Sequence, residues 1–350
     1  MSARDTTSAT VTSPAATALT ATFTQPLRGT DMVETFTVIR GELGAPHLSV
    51  LPVLGDRGPQ AEPLARTSAM LDSLYADRQP HGWRITSVPG KDSRAARHVL
   101  HSDLNIMADV IGHESNVDRG PVLTSIVGPI TLAAGVHVHN GEKLQSDHGA
   151  RRELLQSWCS GVAEFIGDMA RNTEGRGVVV HLDESELQRV LDGTIPTASG
   201  YRTLRAIGRQ EVRNALTDAV AACRDAGAVE VAINTGRAEP RWARDIGADA
   251  AVVVPPSSSV HEWEPLAALV ETGQKLWFPV VPVTGRAAIR DIVDVIARPW
   301  RDLGMAPDAL LGSRVLPVAE LERLTPPELP GALRRCTDVA GALTETCNNG

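Results

Sequence analysis

Along most of this chain, short runs of consecutive apolar residues alternate with longer stretches in which apolar positions return every three or four residues. A continuous run bounded by turn residues reads as a strand buried on both faces; a three-four spacing lays one apolar stripe along a helix. Strands are expected within "HLSVLPVL" (47–54), "VLTSIVGP" (122–129), "GVVVHLDE" (177–184), "VEVAINTG" (229–236) and "GADAAVVVPP" (247–256). Two more are expected within "KLWFPVVPVTG" (275–285) and "SRVLPVAEL" (313–321).

The first helix has Met32, Phe36, Ile39 and Leu43 on one face, Thr30 or Asp31 as its cap, and Gly44 and Pro46 as its stop. A strong helix spans 147–171, with Leu154, Trp158, Val162, Phe165 and Met169 on one side. Another covers "RQEVRNALTDAVAACRDAGA" and ends at Gly227. "SSVHEWEPLAALVETG" reads as a helix capped by Ser258 or Ser259, and 285–304 as a helix kinked at Pro299. A C-terminal helix follows.

Apolar strands alternating with amphipathic helices imply a parallel sheet covered by helices. The number of units fits a (β/α)8 TIM barrel, a single domain over 25–345 behind a disordered Ser/Thr/Ala-rich leader at 1–24. No G-x-G-x-x-G follows an early strand, so a dinucleotide fold is not expected. In a barrel the active site forms at the carboxyl ends of the strands. That gives meaning to one feature: the valines 178–180 run directly into Asp183 and Glu184. Val179, His181 and Asp183 share one face at the strand period of two, with Asp183 at the mouth. The competing reading is local, with Asp183 or Ser185 capping a short helix over "ESELQRVL".

Charge narrows the function classes. A net charge of −8 argues against nucleic acid and anionic membranes as partners, since both need a basic face. The N-terminus lacks the apolar core of a secretory signal, and the expectation is a cytoplasmic protein. Cys159, Cys223, Cys336 and Cys347 form no CxxC pair. Cys159 and Cys223 read as buried helix thiols, and Cys347 as an exposed thiol in a polar tail.

Several motifs together resemble one family. "VGPITLAAGVHVHNGEKLQSDHGARREL" (127–154), "VVVHLDESELQRVLDGTIPTASGYRTL" (178–204) and "LWFPVVPVTG" (276–285) resemble the cobalamin-independent methionine synthases. The likeness is to their short actinobacterial relatives, which correspond to the catalytic C-terminal barrel. "RGTDMVETFTVIRGELGAPHLSVLP" (28–52) and "QPHGWRIT" (79–86) fit the same pattern, so the resemblance spans roughly 25–340. It implies methyl transfer from a methyl-folate to the sulfur of homocysteine, a step of methionine biosynthesis, with zinc holding the thiolate. It also implies that Asp183, with Glu184 beside it, grips the substrate amino group, and that Gly128, Pro129 and Thr131 of the GP-x-T turn lie near the substrate.

The family takes zinc from a His-x-Cys at one strand end, a carboxylate at the next and a Cys at the last. Here those strand ends read "VAINTGRAE", with Ala232 and Asn234, then "AAVVVPPSS", with Val254, then "VLPVAELER", with no Cys. Alanine and valine cannot coordinate zinc, so a degenerate zinc site and no metal cofactor are expected. Other imidazoles are available: His137 and His139 would share a face if extended, and His181 lies one layer below Asp183, where a core histidine bonded to a polar neighbour is expected. His148 and His261 read as surface residues, and Trp83 as a packing residue. Asn234, Thr284, Ser199 and Tyr201 complete a polar rim proposed to bind substrate, with no nucleophile–base pair and hence no catalytic residue assigned.

Three functions follow: methyl transfer to a small thiol, a catalytically silent barrel binding an amino acid or regulating, or a metal-free reaction such as decarboxylation. The last would want cations such as Arg28, Arg57 or Arg84 over the substrate. In each case the partner is a small molecule, an amino acid or a thiol.

Overall fold

A computed structural model describes residues 17–114, 120–284, 287–318 and 321–349. Its central element is an eight-stranded, wholly parallel sheet. In chain order the strands are β1 (Thr20–Ala21), β2 (Ser49–Val50), β5 (Val122–Val127), β6 (Val178–Asp183), β7 (Ala228–Asn234), β8 (Ala250–Val252), β9 (Lys275–Val281) and β10 (Arg314–Pro317). The two remaining strands, β3 (Tyr75–Gln79) and β4 (Gly82–Thr86), form a separate antiparallel hairpin. The spatial order is β1-β10-β9-β8-β7-β6-β5-β2. The sheet curls far enough to bring the residues at and beside its two end strands within hydrogen-bond reach. The Leu48 N–H donates to the Ala21 carbonyl at 3.0 Å and the Thr22 hydroxyl to the Leu48 carbonyl at 2.9 Å.

The strands are apolar because both faces are covered. Residues 178 to 182 of β6 are all buried. The helix His148–Asn172 packs on this sheet through Leu154, Trp158, Val162, Phe165 and Met169, the stripe expected from the spacing. The Trp158 indole N–H donates to the Val127 carbonyl at 3.0 Å, pinning the helix to the end of β5. A Cβ added at Gly161 would lie 1.8 Å from the Met70 carbonyl oxygen, so this helix can approach the 70–72 backbone so closely only through a glycine. Asp31, not Thr30, caps Met32–Glu42 by accepting the Glu34 N–H at 2.9 Å. The helix Ile289–Asp302 runs through Pro299.

Three expectations change. The boundary at residue 24 falls too late: β1 and the buried Leu19, Ala21 and Phe23 already belong to the core, while residues 1–16 lie outside the described chain. Cys347 is buried, because the polar-looking tail continues the helix Leu329–Asn349, which packs on β1 and β10. Cys159 is only half-buried. The hairpin was not expected, since "YADRQPHGWRIT" carries little apolar alternation, although Trp83 packs in the core. Among the described residues, no helix is long and apolar enough to cross a membrane.

Candidate functional site

The carboxyl ends of the strands surround a cavity of about 410 Å³. Its polar wall is Thr24, Gln25, Ser125, His181, Asp183 and Asn234; much of the rest is Val53, Val252, Val254, Pro279, Leu316 and Val318. Parallel register explains why the polar groups meet. Asp183 is the Cα partner of Asn234, and His181 of Ala232. Period two then puts His181 and Asp183 on one face of β6.

Asp183 is the one charged residue among the described residues of this wall. Its carboxylate accepts the Asn234 amide N–H at 3.0 Å, the Ser185 backbone N–H at 3.2 Å and the Ser185 hydroxyl at 3.4 Å. Burial holds its carboxyl above the ordinary carboxylate range, against the pull of these bonds. The capping and cavity readings of Asp183 therefore both hold: it closes a turn at Ser185 and faces the cavity. Asn234 is fixed in turn by accepting the Gly236 N–H at 3.0 Å.

Glu184 faces the other way. It is fully buried, and its two oxygens accept the Ile130 and Thr131 backbone N–H groups at 3.0 and 2.7 Å. It thus satisfies the first turn of the helix Pro129–Gly135, whose N–H groups have no partner within the helix. Burial pushes its carboxyl up to about 8, opposed by those same bonds. Gly128 makes room for it, since a Cβ there would sit 2.2 Å from a Glu184 oxygen. Thr131 also turns to this side, its hydroxyl accepting the Glu186 N–H at 3.3 Å. The Gly128–Thr131 turn and Glu184 thus form a support behind the rim and do not line the cavity.

Other rim candidates separate as well. Ser199 bonds the Thr197 hydroxyl at 3.1 Å in an outer loop, and Tyr201 is 94% exposed. Thr284 is exposed beyond the end of β9. None of the three lines the cavity. His137 is buried, with Nδ1 2.8 Å from the Gly141 carbonyl oxygen and its ring edge-on to His81, while His139 is exposed, so the H-x-H pair does not converge. The arginines considered for carboxylate chemistry are placed elsewhere: Arg28 pairs with Asp56 at 3.4 Å, and Arg57 with the buried Asp103 at 2.5 Å, which Arg66 also holds. Arg84 sits in the hairpin.

His181 departs most from expectation. It is 3% exposed and lines the cavity, yet neither ring nitrogen has a hydrogen-bond partner among the described residues. Burial pushes its pKa down to about 3, so the ring is uncharged at neutral pH. Gln25 and Ser125 were missed altogether: Gln25 lies too close to the Ser/Thr/Ala-rich segment, and Ser125 is one hydroxyl in an apolar run. The Gln25 side-chain oxygen is likewise buried without a partner, while its amide donates to the Pro317 carbonyl at 3.3 Å.

The donors present do not fit a zinc centre. The ends of β7, β8 and β10 offer Ala232, Asn234, Val252, Val254, Leu316 and Val318, of which only Asn234 has a polar side chain. No three His, Cys, Asp or Glu side chains converge among the described residues, and the four cysteines all lie on helices. One imidazole and one carboxylate are too few for a three- or four-donor site.

No protein-family model matches this sequence, and no curated protein matches it. Among solved structures, the chain is similar to a B12-independent methionine synthase from Shewanella sp. W3-18-1, crystallised in complex with selenomethionine. The two share 12% identity over 71% of this chain and 68% of that one, with a TM-score of 0.44.

Proposed function

We propose that the curled sheet is a closed (β/α)8 barrel, methionine-synthase-like in its motifs, that binds a small amine-bearing molecule and carries out no zinc-dependent methyl transfer. One observation carries this reading: among the described residues the cavity wall has a single charged side chain, Asp183, and it is an acid. A half-buried carboxylate without a cation beside it gains most from a ligand that brings one. An ammonium group would supply the charge, with the Asn234 amide keeping the carboxylate in position. An amino acid would enter amine first, leaving its own carboxylate at the open mouth, because the described wall has no Lys or Arg to receive it.

Methyl transfer to sulfur needs a thiolate, and a free thiol titrates near ~8.5 unless a cation or metal lowers it. Nothing in the described wall would do so. His181 is uncharged, and Asp183 would raise a neighbouring thiol pKa, not lower it.

Titration calorimetry with methionine and homocysteine tests the reading. Replacing Asp183 by Asn should weaken any amine ligand roughly 10–100-fold, the scale of a charge-assisted hydrogen bond. Protein purified without chelators should carry well under one zinc per chain. Stoichiometric zinc, or methyl transfer from a methyl-folate, would overturn the reading. Unchanged binding in Asp183→Ala would remove Asp183 from it.

A further inference from the structure

The cavity floor holds more than the rim requires. His181 is two residues before Asp183 on the same face of β6, which places it roughly 6–7 Å deeper along the strand. Its ring lies flat against Trp277, with centroids 6.3 Å apart and an interplanar angle of 16°. Trp277 is fixed from below, its N–H donating to Glu230 at 3.3 Å and Arg314 lying 5.2 Å from its ring centre. The imidazole therefore rests on a rigid platform. On the neighbouring strands its partners are Ser125, whose hydroxyl donates to the Thr24 carbonyl at 3.3 Å, and Ala232, which has nothing to offer it.

Buried polar atoms in folded proteins nearly always have partners, and leaving a donor or acceptor without one costs on the order of 1–3 kcal/mol. Here an imidazole donor, an imidazole acceptor and the Gln25 carbonyl oxygen all go without in the wall of one cavity. An apolar ligand end would leave them so. An anionic end would enter a described wall with no cation. A hydroxyl, or another uncharged group that both donates and accepts, would pair with one ring nitrogen, reached by a small shift of the ring because neither nitrogen presents surface to the cavity as folded.

We propose that His181 is a second recognition point, receiving an uncharged hydrogen-bonding group at the far end of the ligand whose ammonium Asp183 holds. This rests on the Asp183 reading and narrows it to a class: small amines with an apolar middle and a neutral polar terminus about 6–7 Å from the nitrogen.

The test uses the full chain and matched probes. The ω-amino alcohols of butane and pentane are compared by calorimetry with n-pentylamine and n-hexylamine, which have the same numbers of heavy atoms. The amino alcohols should bind roughly tenfold more tightly, the scale of one hydrogen bond to an otherwise unpaired buried group. His181→Leu should abolish that preference while leaving alkylamine binding in place, and His181→Gln, which keeps a donor and an acceptor, should retain part of it. Imidazole nitrogen resonances of the unaltered protein give a readout that needs no variant: those of His181 should move with aminopentanol and not with hexylamine. If alkylamines bind as well as amino alcohols and Asp183→Asn weakens both, the His181 proposal fails and the Asp183 reading stands. If no amine binds, both fail.

Discussion

The two ends of the same strands treat buried charge in opposite ways. At the amino ends, Glu230 of β7 is buried with Arg314 of β10 at 2.7 Å and Lys275 of β9 at 3.3 Å, while Arg314 also donates to the Thr20 hydroxyl at 2.7 Å. Those cations hold the Glu230 carboxyl below the usual range despite its burial. At the carboxyl ends, Asp183 has only amide and hydroxyl donors, and its carboxyl moves the other way. One end pairs its acid with two cations as folded, although the Arg314 Nε–H is left without a partner; the other keeps an acid without a cation and an unpaired imidazole beside a cavity. That difference separates a structural ion cluster from a binding site, although both are acids of the same sheet, Glu230 buried and Asp183 half-buried.

Breaking the ion-paired end should cost the most. Glu230→Ala leaves Arg314 buried without its anion and should lower unfolding stability by roughly 3–5 kcal/mol in a urea titration. At the cavity end, Gly128→Ala should cost about 1–3 kcal/mol, because the new methyl overlaps Glu184.

Dependence on pH sharpens the contrast. The His181 pKa lies near 3 in the folded chain against an ordinary 6.5, so its contribution is full above 6.5 and is lost as pH falls toward 3. Glu184 lies near 8 against an ordinary 4.5, so its contribution is full below 4.5 and is lost as pH rises toward 8. Each proton gives a slope of about 1.4 kcal/mol per pH unit. The two slopes cancel between 4.5 and 6.5, leaving a plateau with a fall on either side. His181→Gln should flatten the acid fall and Glu184→Gln the alkaline one, as read by denaturation at stepped pH. The smallest effect belongs to Tyr201→Ala. At a fully solvated site it should change stability by less than about 0.5 kcal/mol and leave amine binding untouched.

Much of the layout was legible because burial on both faces leaves a mark in composition. The apolar runs at 122–127 and 178–182 became central strands for that reason. β1 and the hairpin were not legible. Thr20–Ala21 is a two-residue strand inside a Ser/Thr/Ala stretch, and the hairpin alternates too weakly to stand out. Of the rim, Asp183 and Asn234 could be found from their places at strand ends. Ser199 and Tyr201 in one loop and Thr284 in another lie off the cavity wall, because nothing local says which way a loop folds back.

By itself, then, the sequence determined most of the succession of strands and helices from residue 122 onward and put His181 and Asp183 on one face, since both follow from short-range periodicity. Only the tertiary structure decided that Glu184 turns back to a helix start, that Trp277 supports His181, and that no partner reaches the imidazole. Those outcomes depend on groups more than fifty residues apart in the chain meeting in space, and periodicity carries no record of such meetings.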